Sequence, residues 1–152
     1  MPEVRAAEPQ SHVHPVRVYY EDTDAGGVVY HASYFRFAER ARTEMLRALG
    51  VAHRGLIDAE GYQFVVRRCA ADFRRPARLD DRLDVVTRVT ALGATRVALA
   101  QDVQREGAEL ATIEVELVGL GPNGRPARMP GRLKRALTRA LARTETDSAE
   151  RG

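Results

Sequence analysis

The residues best suited to chemistry sit close together: Glu21, Asp22 and Asp24, then Gly26-Gly27, then His31. In order, Tyr19 to His31 reads as a strand end, a pair of aspartates, a glycine turn and the approach to a helix. Consecutive glycines let the backbone take positive φ and come close to another group, because there is no Cβ to clash. A helix starting just afterwards points its first unpaired N–H groups, and the positive end of its dipole, back at that turn. A carboxylate facing such donors is equipped for acyl transfer. The acid attacks or activates water, and the donors hold the oxyanion that develops. An Asp-x-Asp ahead of a helix also suits simple turn-building and capping, so the pattern by itself leaves both roles open.

Within the pair, Asp24 is the candidate nucleophile or general base. Asp22 lies two residues earlier and would point the opposite way in an extended segment, which suits tying the loop down. Histidine titrates near neutrality, at about pH 6.5 without neighbours, so His31 suits polarising a carbonyl, orienting water or donating a proton. Its alternative role is to contribute only its backbone N–H. Glu39 and Glu44 have arginine neighbours and read as salt-bridged groups. Cys69 falls in a strand pattern with no histidine near it in sequence, and reads as a buried apolar filler. His12, His14 and His53 show no metal-ligand spacing, and no glycine loop matches a triphosphate cradle, so neither metal nor cofactor is expected.

The elements that must position these residues follow from periodicity. His14 to Tyr20 alternates as a first strand. Helical spacing runs from about Ala32 or Ser33 to Leu49, with Gly50 as the stop. On that helix Tyr34, Phe37, Ala38, Ala41, Met45, Ala48 and Leu49 share an apolar face, and Arg36, Glu39, Arg40, Thr43 and Arg47 a polar one. A short helix fits between Val51 and Gly61. The period then changes to two over Gln63–Phe73, Leu83–Leu92, Thr95–Arg105 and Glu109–Leu120, and the gaps at Gly93-Ala94 and Glu106-Gly107 predict antiparallel hairpins. An arginine-rich helix from Pro130 to about Thr144 closes the chain. The expected organisation is a flexible lead over 1–13, one α+β domain over 14–144 with a five-stranded sheet around one long helix, and a flexible tail over 145–152.

At 152 residues the chain is long enough for one domain with its own core. A single cysteine cannot form an internal disulfide, and no apolar run near membrane length or export pattern is present, so a cytoplasmic location is expected. The net charge of +3 and pI near 9.4 come almost entirely from arginine, with Lys134 the only lysine. Arginine suits phosphate through its planar fork of donors, but at 6% aromatic content and without tryptophan nothing resembles a nucleic-acid motif.

The run Val-Arg-Val-Tyr-Tyr-Glu-Asp-Thr-Asp-Ala-Gly-Gly-Val-Val-Tyr-His-Ala-Ser-Tyr from Val16, on through Glu39-Arg40-Ala41-Arg42-Thr43-Glu44-Met45, resembles the signature of the hotdog-fold acyl-CoA thioesterases. More narrowly it resembles the YbgC-type branch, associated with the Tol-Pal operon, within the 4-hydroxybenzoyl-CoA thioesterase family. Pro76-Ala77-Arg78-Leu79-Asp80-Asp81 fits the same branch. The resemblance covers roughly 14–130 and implies a hotdog fold, with the sheet wrapped around the helix. It implies a homodimer paired sheet edge to sheet edge, or a dimer of dimers forming a homotetramer, with the active site at the dimer seam.

By resemblance the catalytic carboxylate is Asp24, His31 is this branch's histidine, and Tyr20 is an aromatic lining the same site. The N–H near His31 polarises the thioester carbonyl. Gly27, Val28 and Tyr30 are expected to border the substrate, and Arg96, alone in a turn where relatives carry several basic residues, to contact a CoA phosphate. The expected reaction is hydrolysis of acyl-CoA, with acyl carrier protein as an alternative carrier. Coenzyme A enters as part of the substrate, with no separate cofactor. Two other readings compete: a non-catalytic protein binding acyl carrier protein or nucleic acid, and a hotdog dehydratase. The dehydratase needs a histidine base and a helical acid, which the aspartate turn does not provide.

Overall fold

Tyr34, Phe37, Ala38, Ala41 and Met45 recur at the spacing of one helical face, and all are buried along α1, His31–Ala48. The computed structural model describes residues 11–150. Before α1 come β1 (His12–Arg17) and a single 3₁₀ turn (Tyr20–Asp22). After it come α2 (His53–Glu60), β2 (Gln63–Phe73), β3 (Arg82–Leu92), β4 (Arg96–Arg105), β5 (Ala108–Leu120) and α3 (Gly131–Glu150). The strands form one five-stranded antiparallel sheet in the order β1-β3-β4-β5-β2.

Alternation puts one face of this sheet against the helices. Leu83, Val85, Thr87 and Val89 of β3, Val97, Leu99, Gln101 and Val103 of β4, and Ala111, Ile113, Val115 and Leu117 of β5 are all buried. The polar member that stands out is Gln101. Its Nε2 donates to the Ala38 carbonyl of α1 at 2.9 Å and to Thr87 Oγ1 at 3.0 Å, while its Oε1 accepts from Arg42 Nη1 at 3.0 Å. A buried amide so satisfied costs little and fixes the helix in register on β3 and β4. Leu133, Ala136 and Leu137 of α3 are buried as well, and α3 packs against β3.

Several expectations are corrected. The first strand is His12–Arg17 rather than 14–20, because Tyr20–Asp22 closes into the 3₁₀ turn. His12 and Val13, at the end of the expected lead, pair with Thr87 and Val86; residues 1–10 lie outside the described residues. The terminal helix is not short. It runs 20 residues to Glu150, into the expected tail, since no glycine or proline interrupts the chain between Gly131 and Glu150. On α1 Leu46 is buried and Ala48 exposed, so the apolar face is turned slightly toward α3. Cys69 is exposed. The reason is topological: β2 pairs only with β5 and lies at the sheet edge, so neither its other edge nor most of its side chains are covered.

Phe37 is fully buried between α1 and the sheet. Phe37→Ala should lower unfolding stability by about 3–5 kcal/mol in a urea titration. A loss below about 1 kcal/mol would show that α1 is not the core's anchor.

Candidate active site

The loop between β1 and α1 is built on Asp22, which is 5% exposed. Its Oδ2 accepts the Tyr19 N–H at 2.8 Å and its Oδ1 lies 3.9 Å from Arg36 Nη2. Its carbonyl accepts the Tyr30 N–H at 2.9 Å and the Ser33 hydroxyl at 3.2 Å. One residue thus ties the strand end before the loop to the helix start after it. The role expected for Asp22, holding the loop, is what its hydrogen bonds do.

Beyond Asp22 the chain folds back on itself. Thr23 bridges Val29, the Asp24 N–H donates to the Val28 carbonyl at 2.9 Å, and the Gly27 N–H donates to the Asp24 carbonyl at 3.0 Å. Gly27 has φ +77°, a conformation most side chains disfavour. The Asp24 carboxylate is exposed, and its Oδ1 accepts the Gly26 N–H at 2.8 Å. A Cβ on Gly26 would stand 3.2 Å from that oxygen, so both glycines shape the space around Asp24.

The segment after β2 backs this loop. The Val29 N–H donates to the Ala77 carbonyl at 2.8 Å, and Val28 bridges Arg78. The Ala77 N–H in turn donates to the Tyr34 hydroxyl at 3.1 Å, joining the segment to α1. Burial pushes the Tyr34 phenol above its ordinary pKa, so the hydroxyl stays protonated. Asp81 holds the segment's own shape, accepting from the Arg78 N–H at 2.8 Å and from Arg105 Nη1 at 2.7 Å.

Helix α1 begins at His31 with Tyr30 at its N-cap, and no side chain caps it. The Ser33 hydroxyl, in the first turn, is taken up by Asp22 and Arg36. The Ser33 N–H donates to the Tyr30 carbonyl at 2.8 Å, so the donors that the first turn keeps, among the described residues, are the His31 and Ala32 N–H groups. The His31 ring lies 4.4 Å from Tyr30 and 6.5 Å from Phe73, centroid to centroid. A shallow cleft of about 260 Å³ opens here, bordered by His31, Tyr34, Phe73 and Pro76.

His31 and Tyr30 are brought together, with Gly27 and Val28 on the same folded loop. Asp24 shares the loop but does not line the cleft of its own protomer. Tyr20 is 83% exposed in the 3₁₀ turn. Arg96 stands exposed at the start of β4, 3.3 Å from Glu116, which also pairs with Arg67 at 3.1 Å. Glu44 pairs with Arg47 at 2.7 Å, and Glu39 is exposed. Sequence reasoning missed Phe73 and Tyr34 as members of the cleft. The aromatic ending of a strand pattern was the available signal for Phe73. Among the described residues no group of three acidic, cysteine or histidine side chains is placed to hold a metal, and no helix is long and apolar enough to cross a membrane.

A five-stranded antiparallel sheet curled on one long helix, with an acidic glycine turn feeding that helix, defines the hotdog class. The chain belongs to the thioesterase-like superfamily, whose sequence profile matches residues 18–137. The acyl-CoA thioester hydrolase YbgC of Escherichia coli O6:H1 is 50% identical over 109 residues, 71% of this chain and 81% of the relative. The acyl-CoA thioesterase YbgC of Haemophilus influenzae is 45% identical over 124 residues, 80% of this chain and 90% of the relative. A solved structure of a probable thioesterase from Bartonella henselae superposes with a TM-score of 0.76 at 38% identity, over 79% of this chain and 99% of that one.

The two aspartates separate in a stability measurement. Asp22→Ala removes the buried carboxylate that accepts the Tyr19 N–H and should cost about 1–3 kcal/mol, whereas Asp24→Ala, at an exposed site, should stay within about 0.5 kcal/mol of the parent. Equal losses by urea unfolding would contradict this division.

Proposed function

We propose that the protein hydrolyses acyl-CoA thioesters as a homodimer, with Asp24 as nucleophile or general base and the first-turn amides of α1 as oxyanion donors. One observation carries the reading: a carboxylate without a cationic partner among the described residues shares a closed loop with a helix start that no side chain caps. Relatives at 45% and 50% identity that bear the acyl-CoA thioesterase name support it.

As base, Asp24 takes a proton from water as the water oxygen bonds to the thioester carbon. The carbonyl electrons move onto oxygen, where the first-turn N–H groups stabilise them. Collapse of that intermediate breaks the C–S bond, and the CoA thiolate leaves and takes up a proton. As nucleophile, Asp24 bonds to the carbon itself, expels CoA and leaves a mixed anhydride that water opens. His31 orients water or protonates the leaving thiolate, and Tyr20 and Tyr30 flank the acyl group. Gly27 and Val28 let the substrate approach the backbone. Arg96 contacts a CoA phosphate once drawn away from Glu116.

The dimer is part of the proposal because Asp24 is exposed in a single chain. β1, the opposite edge, is six residues long and carries Pro15, which blunts pairing. β2 is 11 residues without proline or glycine and exposes Val65, Val66 and Phe73. That apolar edge continues through Phe73 into Phe35, 6.4 Å away centroid to centroid. Antiparallel pairing of two β2 strands about a dyad near their middle brings the start of the partner's β2 beside Phe73, His31 and the Asp24 loop. A dimer of dimers, acyl carrier protein as an alternative carrier and a cytoplasmic location belong to the same proposal, the last resting on the lone cysteine.

Thiol release from short aliphatic, long aliphatic and aromatic acyl-CoAs tests the reading. The parent should turn over at least one of them, and Asp24→Asn should lose on the order of 10²-fold or more in kcat while keeping its fold. A fully active Asp24→Asn would remove the catalytic assignment.

A further inference from the structure

A second cavity, of about 240 Å³, lies at the other end of α1, where Arg42 and Leu46 face His53 of α2, Phe64 of β2 and Leu137 of α3. His31 and Arg42 are eleven residues apart on the helix, which at 1.5 Å per residue is about 16 Å. Within one protomer this cavity is therefore separate from the His31 cleft.

Its polar contents are unbalanced. Arg42 is largely withdrawn from water, and burial pulls its pKa down, yet it remains a cation at neutral pH. Its Nη1 donates to Gln101, a neutral acceptor, and among the described residues no carboxylate forms an ion pair with it. Beside it the His53 Nε2 is buried with no hydrogen-bond partner among the described residues. Burial, then the charges of Arg42 and Arg47, lower the His53 pKa, so its ring is neutral at pH 7 and presents one N–H. Glu39 at the exposed rim is the opposing charge, and Arg47 is engaged by Glu44. A half-buried guanidinium without an anion and a buried ring nitrogen without a partner, among the described residues, both carry a cost, and an apolar wall strengthens their attraction for an anion that enters. The guanidinium fork fits a carboxylate with two parallel hydrogen bonds.

We propose that this cavity binds an aliphatic carboxylate, its head held by Arg42 and His53 and its chain lying along Leu46, Phe64 and Leu137. The volume is below the roughly 300–1,000 Å³ of sites for drug-sized ligands, which favours a short chain. Two sources share this chemistry: a free short-chain acid, or the distal carboxylate of a dicarboxylic acyl group. Only the second rests on the thioesterase reading.

Calorimetric titration with hexanoate, adipate and neutral hexanamide tests the site. Hexanoate or adipate should bind the parent at least about tenfold more tightly than hexanamide, Arg42→Gln should abolish that preference, and Glu39→Gln should enhance it at least about twofold. Arg42 also supports Gln101, so should Arg42→Gln fail to fold, the Glu39→Gln shift and the amide comparison carry the test. Equal affinity for acid and amide, or no binding of either acid, overturns the proposal, whatever the turnover. The ratio of kcat/KM for adipoyl-CoA over hexanoyl-CoA then separates the sources. A ratio above about ten that falls in Arg42→Gln assigns the carboxylate to the substrate, and a ratio near one with hexanoate bound assigns it to the free acid. Acid binding without turnover of these two thioesters or of any long aliphatic or aromatic acyl-CoA keeps this site and removes the thioesterase reading instead.

Discussion

The carboxylate and carbonyl of Asp22 decide where α1 begins relative to the loop that precedes it. Through Tyr19, Tyr30, Ser33 and Arg36 this one buried residue joins strand end, turn and helix start. Without that joint the uncapped amides of α1 and the Asp24 carboxylate would move independently. Electrostatic stabilisation of an oxyanion depends on donors held before charge develops, so in the proposed mechanism the joint is a condition for the chemistry as well as for the fold. Gln101 does the corresponding work further along α1, fixing its second and third turns on β3 and β4. The helix is thus pinned at its start by a charge and in its middle by an amide.

The aspartates' own hydrogen bonds explain why two of them so close together have different fates. Asp22 uses its oxygens on the protein's own donors and loses contact with water. Asp24 spends one oxygen on Gly26 and keeps the rest of its carboxylate available. Availability in one chain is also exposure to solvent, and a carboxylate bathed in water gains little from nearby dipoles. In the proposed dimer, the open edge of β2 and the aromatic patch from Phe35 to Phe73 are the surface with which a second copy would exclude that water.

The run from Tyr19 to His31 was legible because each residue type there has few alternative uses: consecutive glycines, an aspartate before them and a helical pattern after. The four long strands and α1 were legible from period alone, within a residue or so at their ends. What periodicity could not carry was long-range. That Ala77 and Arg78 lie against Val28 and Val29 depends on a crossover from β2 to the far side of the sheet, and local pattern does not specify which strand is the edge. The same gap explains Cys69, which fits a buried strand by type and is exposed because β2 has only one neighbour. The cleft position of Phe73 and the pairing of Arg96 with Glu116 are equally products of sheet order. The length of α3 was missed because a polar, charged sequence reads as frayed even where nothing stops the helix.

The most direct measurement is a crystal structure with an acyl-CoA ketone analogue, in which a methylene replaces the thioester sulfur. The ketone carbon is predicted to lie within about 3.5 Å of an Asp24 oxygen, and its oxygen within about 3.1 Å of a first-turn N–H of α1, at a seam between two β2 strands. A ketone bound away from the start of α1, or an Asp24 carboxylate still facing water with the analogue in place, would contradict the account.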